Sequence, residues 1–219
     1  MGLSTKPVNL QIELPKLGDP TDGGGSWPLQ TDRVENWAWL NGVFNDAELD
    51  AIINLGESYE EQRGATGGGD RPEVRDSYVA FMFPNEATNW IYRRLTDAIL
   101  HVNENFFGFD LTEMGQGLQF TKYKAPSGHY DWHIDRGMAH GTRKLSLTLQ
   151  LSKPDDYEGG DLELFYGGKL DGENSEVVKA SRDRGMATFF PSYVLHRVTP
   201  VTSGTRYSLV AWISGPSFK

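Results

Sequence analysis

The chain contains no cysteine. That excludes disulfide frameworks, thiolate zinc sites, iron–sulfur clusters and cysteine nucleophiles together, so any bound metal must sit on nitrogen and oxygen. Long apolar runs are missing too. No stretch approaches the roughly 18 residues of a membrane span, and Met1 to Leu10 lacks the basic segment and apolar core of a secretory signal. These absences lead us to expect a cytoplasmic protein. Basic charge is scarce, with 21 Lys and Arg against 30 Asp and Glu and a formal charge of -9. Such a field repels phosphates and anionic membranes, so neither nucleic acid nor a membrane is an expected partner.

What remains is the composition of a globular chain: 219 residues, 38% hydrophobic and 12% aromatic, enough for one sizeable core. Residues 1–34 are rich in Pro, Gly and polar residues and read as an extended N-terminal arm, with 35–219 as a single domain whose core spans about 118–214. Asn45 is a candidate N-cap for a helix carrying Leu49, Ile52, Ile53 and Leu55. Gly64 to Pro72 reads as a mobile loop, either ordinary surface or a lid over a site, before a strand from Ser77 to Met82. Ala87 to Phe107 has helical spacing, with Phe106 and Phe107 in the core. After Asp110 short alternating segments separated by turns predict strands at 118–123, 144–151, 161–165, 176–179, 186–190, 194–198 and 206–213. Helices first and strands afterwards make the fold class α+β, with a double-sheet barrel or jelly roll in the second half.

Two of the five histidines have a context that asks for a metal. His133 and Asp135 are two residues apart, so at a strand or strand end both side chains leave one face and can converge on one ion. His196, on the segment Val194 to Val198, can complete a set of two imidazoles and one carboxylate, the facial arrangement of non-haem iron(II) oxygenases. The spacing His133-x-Asp135 also suits an imidazole bonded to a neighbouring carboxylate. Arg206 follows the expected turn Thr202-Ser203-Gly204, and an antiparallel return would bring its guanidinium back beside the metal, where a permanently charged fork of donors suits a carboxylate. A surface arginine in a strand pair is the alternative. His129 is expected in a supporting or surface role, and His101 and His140 as surface or core residues.

Tyr123, Tyr130-x-x-His133-x-Asp135, Glu158-Gly159-Gly160-Asp161-Leu162 and the run from Pro191 through Leu195-His196-x-Val198-x-Pro200-Val201 to Gly204-x-Arg206 resemble the prolyl 4-hydroxylase group of 2-oxoglutarate oxygenases. The segments Leu151 to Gly160 and His196 to Val201 are especially similar to bacterial PKHD-type hydroxylases. The resemblance implies a double-stranded β-helix (jelly roll, cupin-like) with supporting N-terminal helices. It implies Fe(II) on His133, Asp135 and His196, the distal carboxylate of 2-oxoglutarate on Arg206 and Tyr123, O2 as co-reactant and ascorbate as an accessory reductant. It also implies a substrate pocket at Tyr130, Trp212 and Arg75, where aromatic core packing is the alternative for the two rings. Gln150 stands where the oxygen-sensing branch carries a pocket tyrosine, so that contact is absent or replaced. The activity implied is hydroxylation of an unactivated C–H bond coupled to decarboxylation of 2-oxoglutarate to succinate. Peptidyl proline is the default substrate and a free amino acid or other small molecule the alternative. A cupin-like isomerase, a zinc-dependent hydrolase or a non-enzymatic metal-binding module would use the same three ligands without a dicarboxylate clamp.

Overall fold

The computed structural model describes residues 34–66, 69, 71–137, 140–170, 172 and 174–217, together with a two-residue strand at Ser4–Thr5. The arm expected over 1–34 therefore lies almost wholly outside the described residues. In chain order the elements are β1 (Ser4–Thr5), β2 (Ala38–Asn41), α1 (Asp46–Ser58), β3 (Gln62–Arg63), β4 (Arg75–Asp76), β5 (Tyr78–Met82) and α2 (Asn89–Val102). The second half adds β6 (Leu118–Lys124), β7 (His129–His133), β8 (Arg143–Gln150), β9 (Tyr157–Gly159), β10 (Leu162–Gly167), β11 (Glu176–Lys179), β12 (Ala187–Pro191), β13 (Leu195–Val198) and β14 (Val201–Ser214). No helix among the described residues is long and apolar enough to cross a membrane.

The fold is α+β, with two antiparallel sheets. The larger runs β1-β2-β12-β8-β14-β6-β5-β3, with β9 paired to the start of β14, and the smaller runs β11-β10-β13-β7-β4. The expected helix starts as its sequence dictates: the Asn45 side chain accepts from the Glu48 N–H at 2.9 Å while the Glu48 carboxylate accepts from the Asn45 N–H at 2.8 Å. Leu49, Ile52 and Gly56 then point one face of α1 into the core. α2 is anchored by Tyr92, whose hydroxyl donates to the Met82 carbonyl and accepts from the Leu118 N–H, tying the helix to β5 and β6. It continues into a π-helical turn, Asn103–Phe107, closed by Gly108 in the left-handed region.

Alternation along the strands gives the larger sheet two different faces. Leu145, Leu147 and Leu149 of β8, with Leu209, Ala211 and Ile213 of β14, are buried in the cluster that includes the helices' apolar residues. The intervening Ser146, Gln150, Arg206 and Ser208 are buried as well, although polar. Most antiparallel sheets turn their polar face to water. Here the polar face is covered by the second sheet, and the space between holds the site.

The strand expected from Ser77 to Met82 forms as β5, and β4 precedes it in the other sheet: Arg75 pairs with Tyr130 in the smaller, Tyr78 with Lys122 in the larger, and Ser77 is where the chain crosses. One sequence expectation changes, since the turn at Thr202-Ser203-Gly204 is absent. The chain turns at Thr199 and Pro200, and β14 then runs unbroken from Val201 to Ser214 with an irregular register against β9. Gly204, at φ +72°, supplies the backbone there, and a Cβ would meet the Asp156 carbonyl oxygen at 2.1 Å.

Gly56 marks the tightest helix-to-sheet approach, since a Cβ at that position would lie 2.4 Å from the Phe120 ring, which is itself 1% exposed. Gly56→Ala is expected to destabilise the protein by about 1–2 kcal/mol, overpacking outweighing the roughly 1 kcal/mol gain in helix propensity. Urea denaturation checks this. A stabilised variant would show that Phe120 yields.

Candidate active site

His133 ends β7 and His196 lies in β13, and the two are direct cross-strand partners. Their rings are 4.1 Å apart between centroids. Asp135, two residues beyond β7, brings its carboxylate to 3.9 Å from His133 Nε2 and 3.6 Å from His196 Nε2. One ligand atom from each of the three residues falls within 4.8 Å of the others. The imidazoles are oriented alike. His133 Nδ1 lies 2.7 Å from the Asp131 carbonyl and His196 Nδ1 lies 2.9 Å from the Val194 carbonyl, each two residues upstream. A carbonyl can only accept, so both Nδ1 atoms carry the proton and both Nε2 lone pairs face the shared space.

Electrostatics favour the same state. Burial, with His196 alongside, pushes the His133 pKa down to about 3, so the ring is neutral. Burial opposes ionisation of Asp135. His196, His133 and the Ser146 hydroxyl, which donates to Oδ2 at 2.7 Å, outweigh it and hold the carboxyl below its ordinary range. The Trp212 indole N–H favours the carboxylate too, without making a hydrogen bond. Ser146 is fixed in turn by Ser192 at 2.9 Å.

The triad opens into a cavity of about 670 Å³ lined by both sheets. Arg206 enters from the larger sheet, paired with Tyr123 across β14 and β6. It is therefore not the hairpin partner of His196 that the sequence suggests. It reaches the metal side by facing it across the gap between sheets. Arg206 is 3% exposed, and its Nη1 is buried without an acceptor. Its guanidinium lies 5.6 Å from the Tyr123 ring. Burial raises the pKa of the Tyr123 hydroxyl, partly offset by Arg75 and Arg206, so the group stays a neutral donor.

Tyr130, Trp212 and Arg75 all line the cavity. Tyr130 stacks on His133 at 3.5 Å and Arg75 sits 4.6 Å from the Tyr130 ring centroid. Gln150 does not reach for the site: its amide donates to the Tyr157 hydroxyl at 3.1 Å and the Ser152 carbonyl at 3.2 Å. His129 is half-buried, its ring nitrogens near the Ser127 and Glu73 carbonyls. His140, expected as a surface or core residue, is exposed and also lines the cavity. The sequence reading missed Ser146, Gln116 and Arg143. Ser146 was detectable as a polar position alternating with leucines on β8, whereas nothing in the sequence marks Arg143.

Over residues 118–214 the sequence matches the 2OG-Fe(II) oxygenase superfamily. A PKHD-type hydroxylase of Prochlorococcus marinus (strain MIT 9515) is 30% identical over 175 residues, covering 78% of this chain and 75% of that protein. Another, from Synechococcus sp. (strain CC9605), is 41% identical over 85 residues, 38% of this chain and 36% of that protein. The chain spans less than half the length of several curated relatives that it matches. Among solved structures, a Trichoplax adhaerens prolyl hydroxylase in complex with a hypoxia inducible factor peptide fragment superimposes with a TM-score of 0.67. It is 20% identical and covers 82% of this chain and 83% of that one, a likeness of fold. The chain belongs to the PKHD-type hydroxylases of the 2OG-Fe(II) oxygenase superfamily.

The depressed pKa of His133 has a consequence for stability. Between about 3 and the ordinary 6.5 the unfolded chain binds a proton at this residue that the folded chain does not, so stability falls as pH falls through that window. The metal-free protein is expected to lose up to about 1.4 kcal/mol per pH unit from this residue below about pH 6. Denaturation titrations from about pH 7 to about pH 5 should give a shallower slope for His133→Asn than for the wild type. Equal slopes would refute the assignment.

Proposed function

We propose that the protein is a 2-oxoglutarate- and Fe(II)-dependent dioxygenase that hydroxylates an unactivated C–H bond, with a prolyl residue of a peptide or protein as substrate. The two facing sheets are read as a double-stranded β-helix. One observation carries the reading: Arg206, a buried guanidinium whose Nη1 has no acceptor, lines the same cavity as the His133, Asp135 and His196 group. A buried charge of this kind is costly unless a ligand supplies its partner. The donor set suits iron(II), which accepts imidazole and carboxylate and keeps positions open when three protein ligands bind on one side. A cupin-like isomerase or hydrolase would use these ligands but has no use for the buried guanidinium.

In this reading His133, Asp135 and His196 hold the iron, and Arg206 with Tyr123 holds the distal carboxylate of 2-oxoglutarate. With iron and cosubstrate bound, dioxygen would supply the oxidising equivalents, one oxygen atom entering the substrate as hydroxyl and the other entering 2-oxoglutarate, which would leave as succinate and carbon dioxide. The chain's residues do the rest. The Asp131 and Val194 carbonyls keep both imidazoles in the ligating tautomer. Ser146 keeps Asp135 from rotating. Arg206 fixes the cosubstrate by a charge-assisted fork of donors, and Tyr130, Trp212 and Arg75 shape the substrate's side. Ala65 and Thr66 line the cavity, while Gly67, Gly68 and Asp70 of the loop that the sequence offers as a lid lie outside the described residues.

Anaerobic titration of the apo-protein with iron(II) and then 2-oxoglutarate should develop the weak visible charge-transfer band of the chelate. His196→Ala should abolish it, and Arg206→Ala should need on the order of 10–100 times more cosubstrate, as expected for a lost charged hydrogen-bond pair. Bound metal without a band would overturn the dioxygenase reading.

A further inference from the structure

Two more buried arginines line the cavity, Arg75 and Arg143, each 7% exposed. Their hydrogen bonds go to neutral groups. Arg75 donates to Ser77 Oγ at 2.9 Å and the Ala65 carbonyl at 3.0 Å. Arg143 donates to the Asp135 carbonyl at 3.0 Å and to the Gln116 side chain. Arg143 Nε is buried with no acceptor at all. Among the described residues neither guanidinium is paired with a carboxylate side chain. Instead each lies against an aromatic ring, Arg75 at 4.6 Å from Tyr130 and Arg143 at 3.9 Å from Trp212.

Elsewhere the same chain gives its sheltered arginines acidic partners. Arg184 is paired with Asp50, Arg182 with Asp161 and Arg197 with Glu163. With 30 acidic residues available, leaving two buried cations unmatched in one cavity is a specific choice. The ligands already assigned to the cavity do not supply the missing charge. A divalent ion and Arg206 are balanced by Asp135 and a dicarboxylate, which leaves Arg75 and Arg143 uncompensated. Both stand close to the reacting centre. Arg75 lies over the Tyr130 ring that stacks on His133, and Arg143 holds the backbone of Asp135.

We propose that Arg75 and Arg143 form a carboxylate-binding subsite beside the metal, so that the group hydroxylated belongs to an anionic substrate, either a free acid or a peptide with an acidic residue next to the target. This rests on the dioxygenase reading and specifies its substrate class. The aromatic faces keep both guanidiniums planar and fixed, so little ordering remains for the substrate to impose.

The test uses the protein loaded with iron(II) and 2-oxoglutarate without oxygen, the chelate band verifying loading before any probe is added. Two probe pairs are titrated by calorimetry: N-acetyl-L-proline against N-acetyl-L-prolinamide, and the blocked peptides acetyl-Glu-Pro-Gly-amide against acetyl-Gln-Pro-Gly-amide. In at least one pair the carboxylate is expected to bind about tenfold or more tighter than its amide. Preference in the first pair identifies a free acid, in the second an acidic peptide. Arg75→Gln and Arg143→Gln should each erase most of that preference and Arg143→Lys should keep part of it, while the cosubstrate needed for the band stays near wild type. A band without carboxylate preference in either pair, whether or not the amides bind, overturns the proposal and leaves the dioxygenase reading intact. A rise in cosubstrate demand as large as that of Arg206→Ala also overturns it, because the arginines would then serve 2-oxoglutarate. Absence of the band refutes the reading on which the proposal rests, and the proposal with it.

Discussion

The register that sets His196 opposite His133 is the constraint from which the rest of the site follows. Direct cross-strand partners have Cβ atoms only about 5 Å apart, so two imidazoles at this pairing must share one small volume. Each ring is then turned by the same local device, an Nδ1–H bond to the carbonyl two residues upstream. Asp135 needs only the first residues after β7 to reach the same point, where Ser146 from the opposite sheet meets it. A slip of one residue between β7 and β13 would send one imidazole to the outer face of the smaller sheet and dissolve the group.

The second organising feature is an imbalance of charge. The protein as a whole is acidic, yet its principal cavity holds three buried guanidiniums and, among the charged residues that line it, Asp135 as the carboxylate. Burial without a counter-ion makes each of these cations an energetic liability in the empty protein and a strong acceptor-seeking group in the filled one. The proposed assignment of Arg206 to the cosubstrate and of Arg75 and Arg143 to the substrate divides that surplus between two anions.

Much of this was legible in the sequence, for identifiable reasons. The Asn45 and Glu48 capping box, the alternation of leucines along β8 and the His133-x-Asp135 spacing are local signals, and local physics decides them. The α+β order of elements followed from the change of period near Asp110. Less legible was anything decided by which sheet a strand joins. Nothing in Arg75-Asp76-Ser77 announces a separate short strand in the other sheet, and β14 looks interrupted because Gly204 serves a strand irregularity as readily as a turn. Arg143 was invisible for a related reason. Its neighbours in the chain are polar and it begins a strand, so only its tertiary placement under Trp212 reveals that it is buried.

The larger sheet keeps its packing and its chemistry on opposite faces. Leucines of β8 and β14 interlock with the helices on one side, while Thr148, Arg206, Ser208 and Trp212 address the cavity on the other. A substitution at a cavity-facing position therefore changes what the pocket admits without disturbing the contacts that hold the helices down. Lineages built on this scaffold can exchange one substrate for another by single steps, each tolerated by the fold, because selection on recognition and selection on stability act on alternate residues of the same strands.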